Sequence, residues 1–175
     1  MILLLGGARS GKSAAAVGLA SVSGLPVTFI ATAEAGDDEM ASRIARHREA
    51  RPASWAAIEA PMELYSAVAS VDAERFLVVD CLTLWVSNLL ADGRTQDQVL
   101  AEAERLAALL RDRPAVVVSN EVGLGIVPDN ELARHYRDLL GAVNATFSAA
   151  AARSLLMVAG RALEMSRVEL LLGNS

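Results

Sequence analysis

Ile2-Leu3-Leu4-Leu5-Gly6-Gly7-Ala8-Arg9-Ser10-Gly11-Lys12-Ser13 is the stretch that decides the fold. Its first four residues read as a short buried strand. Gly6 to Ser13 then fits G-x-x-x-x-G-K-[ST] in full, and a helix pattern follows to about Ala20. In such a loop the backbone N–H groups wrap phosphates, and glycine lets the backbone approach them closely. Lys12 is placed to reach the β- and γ-phosphates of a nucleoside triphosphate. The Ser13 hydroxyl is placed to ligate Mg²⁺. A glycine turn with an incidental lysine is the bland alternative. The strand before the loop and the helix after it argue against that alternative.

Outward from the loop, apolar runs alternate with helix patterns. Val27 to Ile30 is a second strand, and a helix opens at Asp37-Asp38-Glu39, whose acids suit the positive end of a helix dipole. It should end near Arg51-Pro52, because the residue before proline disfavours the α region. Phe76 to Val79 is a strand closed by Asp80. Leu82 to Leu90 and Gln96 to Arg111 read as helices, Ala115 to Val118 as a strand, and Asn130 to about Ala152 as a long helix. Leu155 to Val158 is expected to be the last strand, with the tail 161–175 carrying no assignable motif. This alternation predicts an α/β fold, a mainly parallel sheet flanked by helices. With 175 residues and no linker-like stretch, the chain 1–175 is expected to form a single domain. Gly6–Ser13, Thr32, Asp80 and Asn120-Glu121 all follow the C-terminal ends of strands, the edge where open parallel sheets bind ligands.

Bulk properties narrow the function classes. Hydrophobic residues make up 53%, and the net charge is −5, with a pI of about 5.1. No dominant basic surface is available for nucleic acid or anionic lipid. The single cysteine, Cys81, rules out an intramolecular disulfide or a cysteine-rich zinc site. No apolar stretch approaches the ~18 residues of a spanning helix, so a cytoplasmic enzyme without a membrane span is expected.

Two further segments carry candidate chemistry. Asp80 ends its strand as P-loop enzymes place a carboxylate near Mg²⁺; the alternative is an N-cap for the helix that starts near Leu82. Arg43, His47 and Arg51 are spaced i, i+4, i+8 and so lie near one helix face. Arginines beside His47 disfavour the imidazolium, and a neutral imidazole among phosphate-binding cations suits nucleophilic attack on phosphorus. An ordinary basic, solvated face is the competing reading. His135 reads as a surface or interface histidine. The loop Ser119-Asn120-Glu121-Val122-Gly123-Leu124-Gly125-Ile126-Val127-Pro128 is apolar and glycine-punctuated. It fits a binding loop for a large, partly apolar substrate and equally a packed turn.

Taken together, these motifs closely resemble the bifunctional adenosylcobinamide kinase / adenosylcobinamide-phosphate guanylyltransferase family. The matching stretches are Gly6 to Ser13, Phe29 to Ala33, Asp37 to Pro52 with Trp55, Val79 to Thr83, and Ser119 to Pro128. The resemblance implies a RecA-like P-loop fold and a homotrimer. It implies phosphorylation of adenosylcobinamide with ATP or GTP, then transfer of GMP from GTP with release of pyrophosphate. It puts a guanylylated histidine at His47. Nucleotide contacts carry over to Gly6, Gly7, Ala8, Arg9, Ser10, Gly11, Lys12, Ser13, Ala31, Thr32, Ala33, Arg48, Glu49, Ala50, Arg51, Glu59 and Asp80. Ser13 and Asp80 fall to Mg²⁺. A simple kinase for a small alcohol or nucleoside monophosphate would leave His47 without a task. A GTP-dependent switch would carry Asn-Lys-x-Asp, to which Ser119-Asn120-Glu121-Val122 is the nearest approach.

Overall fold

The structure is a computed structural model. It describes residues 1–34, 36, 38–49 and 51–168, without the side chains of residues 39, 40, 43, 46 and 47. Asp37 as the opening of a helix, Ala50 as a nucleotide contact and the tail beyond residue 168 therefore lie outside the described residues.

The elements in order are β1 (Ile2–Gly6), α1 (Lys12–Ser21), β2 (Val27–Ala31), α2 (Asp38–Glu49), β3 (Ala56–Glu59), α3 (Leu64–Ala69), β4 (Phe76–Asp80), α4 (Leu82–Ala91), α5 (Gln96–Leu110), β5 (Ala115–Val118), α6 (Glu131–Ala150), β6 (Arg153–Val158) and β7 (Arg161–Met165). They build one seven-stranded sheet in the order β3-β2-β4-β5-β1-β6-β7. Every pairing is parallel except β6 with β7. Parallel strands covered on both faces are apolar throughout, which is why β1, β4 and β5 appear in the sequence as uninterrupted runs.

The two faces of the sheet are covered unequally. Leu4, Phe29, Val78, Val116 and Val118 pack with Ala16 and Ala20 of α1. On the other face Leu3, Leu5, Ile30, Val79 and Val117 pack with the helices α3 to α6, where Trp85 and Phe147 are the largest fully buried side chains. Burial of such side chains is worth ~1.5–3 kcal/mol each and supplies most of the drive to fold. The alanines of α1 are small enough to bring that helix close to the strands. α5 is closed at its start by a capping box between Thr95 and Gln98, and α6 by the Asn130 side chain, which accepts from Ala133 N–H.

The expectation of a last strand at Leu155–Val158 is corrected here. Ala159 (φ 50°) and Gly160 (φ 74°) turn the chain back, and β7 adds an antiparallel edge to β6. β3 and α3 also join the expected elements. Both are short, and β3 is a largely exposed edge strand.

Candidate active site

The phosphate loop is shaped by three unusual backbone positions. Arg9 takes φ 57° and Gly11 φ 96°, the left-handed region that costs a non-glycine residue roughly 1–2 kcal/mol. Such strain persists where surrounding structure holds it. At Gly6 a Cβ would stand 2.3 Å from the Met157 carbonyl oxygen and 2.9 Å from Ser10 Oγ. The loop is also fastened to the β6–β7 turn, where Gly160 N–H donates to the Ser10 carbonyl at 2.9 Å. Lys12 is buried. Its Nζ donates to the carbonyls of Gly6 (2.8 Å) and Gly7 (2.7 Å), so the ammonium is fixed over the mouth of the loop. Gly7, Ala8 and Arg9 are exposed.

The neighbouring strand ends form a row. Glu59 is registered with Ala31, Ala31 with Asp80, and Asp80 with Val118. Registered residues share a sheet face, and neighbouring strands are about 4.8 Å apart. Glu59 and Asp80 therefore project on the face that α1 covers, with Ala31 between them. Asp80 does not cap α4. Cys81 is the N-cap residue and makes no side-chain cap hydrogen bond, so the N-cap alternative falls away. The Thr32 hydroxyl ties the row together. It donates to the Cys81 carbonyl and accepts from Cys81 N–H, each at 2.7 Å, while Thr32 N–H donates to the Asp80 carbonyl. Asn88 of α4 donates to the carbonyls of Thr32 and Pro61. Burial, with a further contribution from the charge of Asp80, pushes the Cys81 thiol up.

Beyond β2 lies an arginine and carboxylate cluster. A cavity of about 500 Å³ is lined by Ala33, Glu34, Ile44, Arg48, Glu49 and Glu59 among others. A smaller one of about 180 Å³ lies between Phe29, Arg51, Trp55 and Glu59. Arg48 forms an ion pair with Glu59 across them. The Arg51 guanidinium stacks on the Phe29 ring at 3.6 Å. Burial pushes Arg51 below its ordinary range, with the Asp80 charge opposing that shift and Arg48 adding to it. His47 lies on α2 between these walls in sequence, and its side chain is outside the described residues. His135 is exposed on α6, as expected.

The loop after β5 closes the other side. Asn120 N–H donates to Thr83 Oγ1 (2.7 Å), Asn144 Nδ2 to the Asn120 carbonyl (3.0 Å), and Glu121 N–H to the Gly6 carbonyl (3.1 Å). The packed-turn reading does not hold for the tip, because Leu124, Ile126 and Val127 are exposed. Asn88 and Asn144 escaped the sequence reading, and Thr83 entered it only as the end of the matching stretch Val79 to Thr83.

As for a metal, the available donors at the loop are the Ser13 hydroxyl, at the start of α1, and the Asp80 carboxylate, at the end of β4. No group of three or more His, Cys, Asp or Glu side chains able to hold a metal ion occurs among the described residues. One hydroxyl and one carboxylate suit Mg²⁺ shared with substrate phosphates rather than an all-protein cage.

The profile of the CobU family, cobinamide kinase / cobinamide phosphate guanyltransferase, matches residues 2–165. The chain belongs to this family. It is 48% identical to the bifunctional adenosylcobalamin biosynthesis protein CobP of Pseudomonas aeruginosa, over 90% of this chain and 92% of the relative. It is 42% identical to CobU of Escherichia coli K12, over 91% and 96%. Among solved structures, the RadB recombinase superposes with a TM-score of 0.53 at 16% identity, covering 89% of this chain and 72% of that one. The type III secretion ATPase EscN superposes with a TM-score of 0.59 at 11% identity, covering 90% and 42%. These likenesses bear on the fold alone, and they agree with a P-loop sheet. The family supplies the function: a bifunctional enzyme of adenosylcobalamin synthesis, a cobinamide kinase and cobinamide phosphate guanylyltransferase.

Proposed function

We propose that both reactions of this CobU-family enzyme use the edge formed by the phosphate loop, the strand ends of β2 and β4, and α2, with His47 as the group that carries GMP. In the kinase step the hydroxyl of adenosylcobinamide attacks the γ-phosphorus of ATP or GTP, its proton leaves, and the nucleoside diphosphate departs. Lys12 offsets the charge that gathers on the β- and γ-phosphates, and the N–H groups of Gly6 through Ser13 bind them. In the transfer, an imidazole nitrogen of His47 attacks the α-phosphorus of GTP. A P–N bond forms, the bond from the α-phosphorus to the bridging oxygen breaks, and pyrophosphate leaves. An oxygen of adenosylcobinamide phosphate then displaces the histidine, giving adenosylcobinamide-GDP. A covalent carrier divides one hard transfer into two in-line displacements.

Ser13 and Asp80 would hold Mg²⁺, which supplies Lewis-acid charge to phosphate oxygens. Ala31, Thr32, Ala33, Arg48, Glu49, Ala50, Arg51 and Glu59 complete the nucleotide contacts in this reading. The guanidinium groups of Arg48 and Arg51 match phosphate geometry. The observation that most supports it is the cavity between α2 and the chain just beyond β2 and β3, lined by Ala33, Arg48 and Glu59 and adjoining the stacked Arg51. The chain 1–175 acts as one nucleotide-binding domain, assembled as a cytoplasmic homotrimer.

The direct test is incubation with GTP labelled at the α-phosphate. The expected adduct is a phosphoramidate, stable in alkali and hydrolysed in acid, and absent from His47→Ala. Label retained by His47→Ala would remove His47 from this role and leave His135 to be tested.

A further inference from the structure

The nucleotide cavities and the phosphate loop leave one conspicuous feature unused. Within nine positions, Leu124 is 83% exposed, Ile126 97%, Val127 60% and Leu132 73%. Their exposure is imposed by the structure. At the base, the loop is fastened by the Asn120, Glu121 and Asn144 hydrogen bonds. At its far end Arg134 donates to the carbonyls of Pro128 (3.0 Å) and Asp129 (2.7 Å), and a Glu121 carboxylate oxygen accepts from Gly123 N–H. Aliphatic side chains held out in water on a braced loop mark a surface that covers something apolar.

We propose that this loop, with Leu132, is the docking surface for the corrin ring of the cobinamide acceptor. The proposal rests on the family's cobinamide activity and is independent of the histidine adduct. Three observations select this occupant. First, the two cavities lie on the β2–β3 side of the sheet, are walled by arginines and carboxylates, and suit a nucleotide. Second, the apolar loop leaves β5, which lies between β4 with its Asp80 and β1 with the phosphate loop. Its residue Glu121 bonds to Gly6, the first residue of the phosphate loop. A group docked there stands beside the phosphates, where a phosphoryl acceptor has to be. Third, the acceptor is a large macrocycle whose ring carries methyl groups among its amide arms, and projecting aliphatic side chains match such a partly apolar face better than cavities lined by arginines and carboxylates.

The proposal separates acceptor binding from nucleotide binding, and the test uses that separation. Kinase initial rates of the Leu124→Ser/Ile126→Ser double variant are measured with cobinamide varied at saturating ATP. GTP affinity and sedimentation velocity are measured on the same protein. The expected result is a KM for cobinamide raised about tenfold or more, with a much smaller change in kcat, and with GTP affinity and sedimentation as in the wild type. Leu124→Met/Ile126→Leu, which keeps apolar volume, should restore the KM. A KM within about twofold of wild type overturns the proposal. So does a KM rise that appears only together with altered sedimentation, which would assign the surface to a second copy of the chain. Should the double variant lose GTP affinity through its link to Gly6, Ile126→Ser alone is read by the same criteria.

Discussion

The phosphate loop and the loop after β5 leave the same edge of the same sheet and obey opposite rules. The first is drawn in on itself. Lys12 donates to Gly6 and Gly7, Gly160 fastens Ser10, and the Met157 carbonyl leaves no room for a side chain at Gly6. The second is held by its stem and its far end, and it pushes Ile126 almost wholly into solvent. The contrast shows how one sheet edge can serve two unlike ligands. Polar backbone with a buried cation suits a triphosphate, and a braced apolar ledge suits a large organic acceptor.

The largest effect should come from breaking the first loop. Lys12→Ala is expected to lower kinase turnover by roughly 10²–10³, and to weaken GMP transfer as well, because pyrophosphate must be held as it leaves. Turnover within about twofold of wild type would remove Lys12 from its role. Gly6→Ala should follow. Its Cβ meets a backbone carbonyl that cannot move without parting β1 from β6. An overpacking cost of about 1–3 kcal/mol in denaturant unfolding is expected, together with weakened GTP binding.

Smaller effects sharpen the contrast. Asn144 is buried and holds the Asn120 carbonyl at the stem of the apolar loop. Asn144→Ala should cost about 1–3 kcal/mol in urea unfolding by leaving that acceptor unpaired. At Gly125, on the tip, an added Cβ would meet nothing within 4 Å, so Gly125→Ala should change stability by less than about 0.5 kcal/mol. A large loss at Gly125 together with none at Asn144 would reverse the assignment of stem and tip. Between the loops, the Cys81 thiol is pushed up by burial and by Asp80. The neutral form is therefore favoured in the folded protein, and the thiolate fraction at a mildly alkaline pH of about 8 falls below that of an unfolded chain. Iodoacetamide should label Cys81 slowly in the native protein and rapidly in urea, as read by mass spectrometry.

Much of this was legible in the sequence because the physics was local. The strand Ile2–Leu5 and the loop Gly6–Ser13 are adjacent in the chain, and β4 and β5 are buried on both faces, so their residues are apolar without alternation. β3 was not legible. It is an exposed edge strand whose pairing with β2 supplies backbone hydrogen bonds that leave no side-chain pattern. β7 is exposed along nearly all its length, and only the Ala159-Gly160 turn hinted at it. The roles of Asn88 and Asn144 depend on contacts 27 or more and 24 residues away respectively, which no short window contains. The apolar loop was visible as a motif, but its composition could not separate a packed turn from a projecting one. The bracing by Arg134 and the exposure of Ile126 decide that.

In the proposed mechanism phosphorylation depends on the phosphate loop, and GMP transfer depends additionally on His47. Product analysis of the His47→Ala enzyme, supplied with adenosylcobinamide and GTP, tests it most directly. The expected result is that adenosylcobinamide phosphate accumulates while adenosylcobinamide-GDP does not form. Formation of adenosylcobinamide-GDP at the wild-type rate would contradict it.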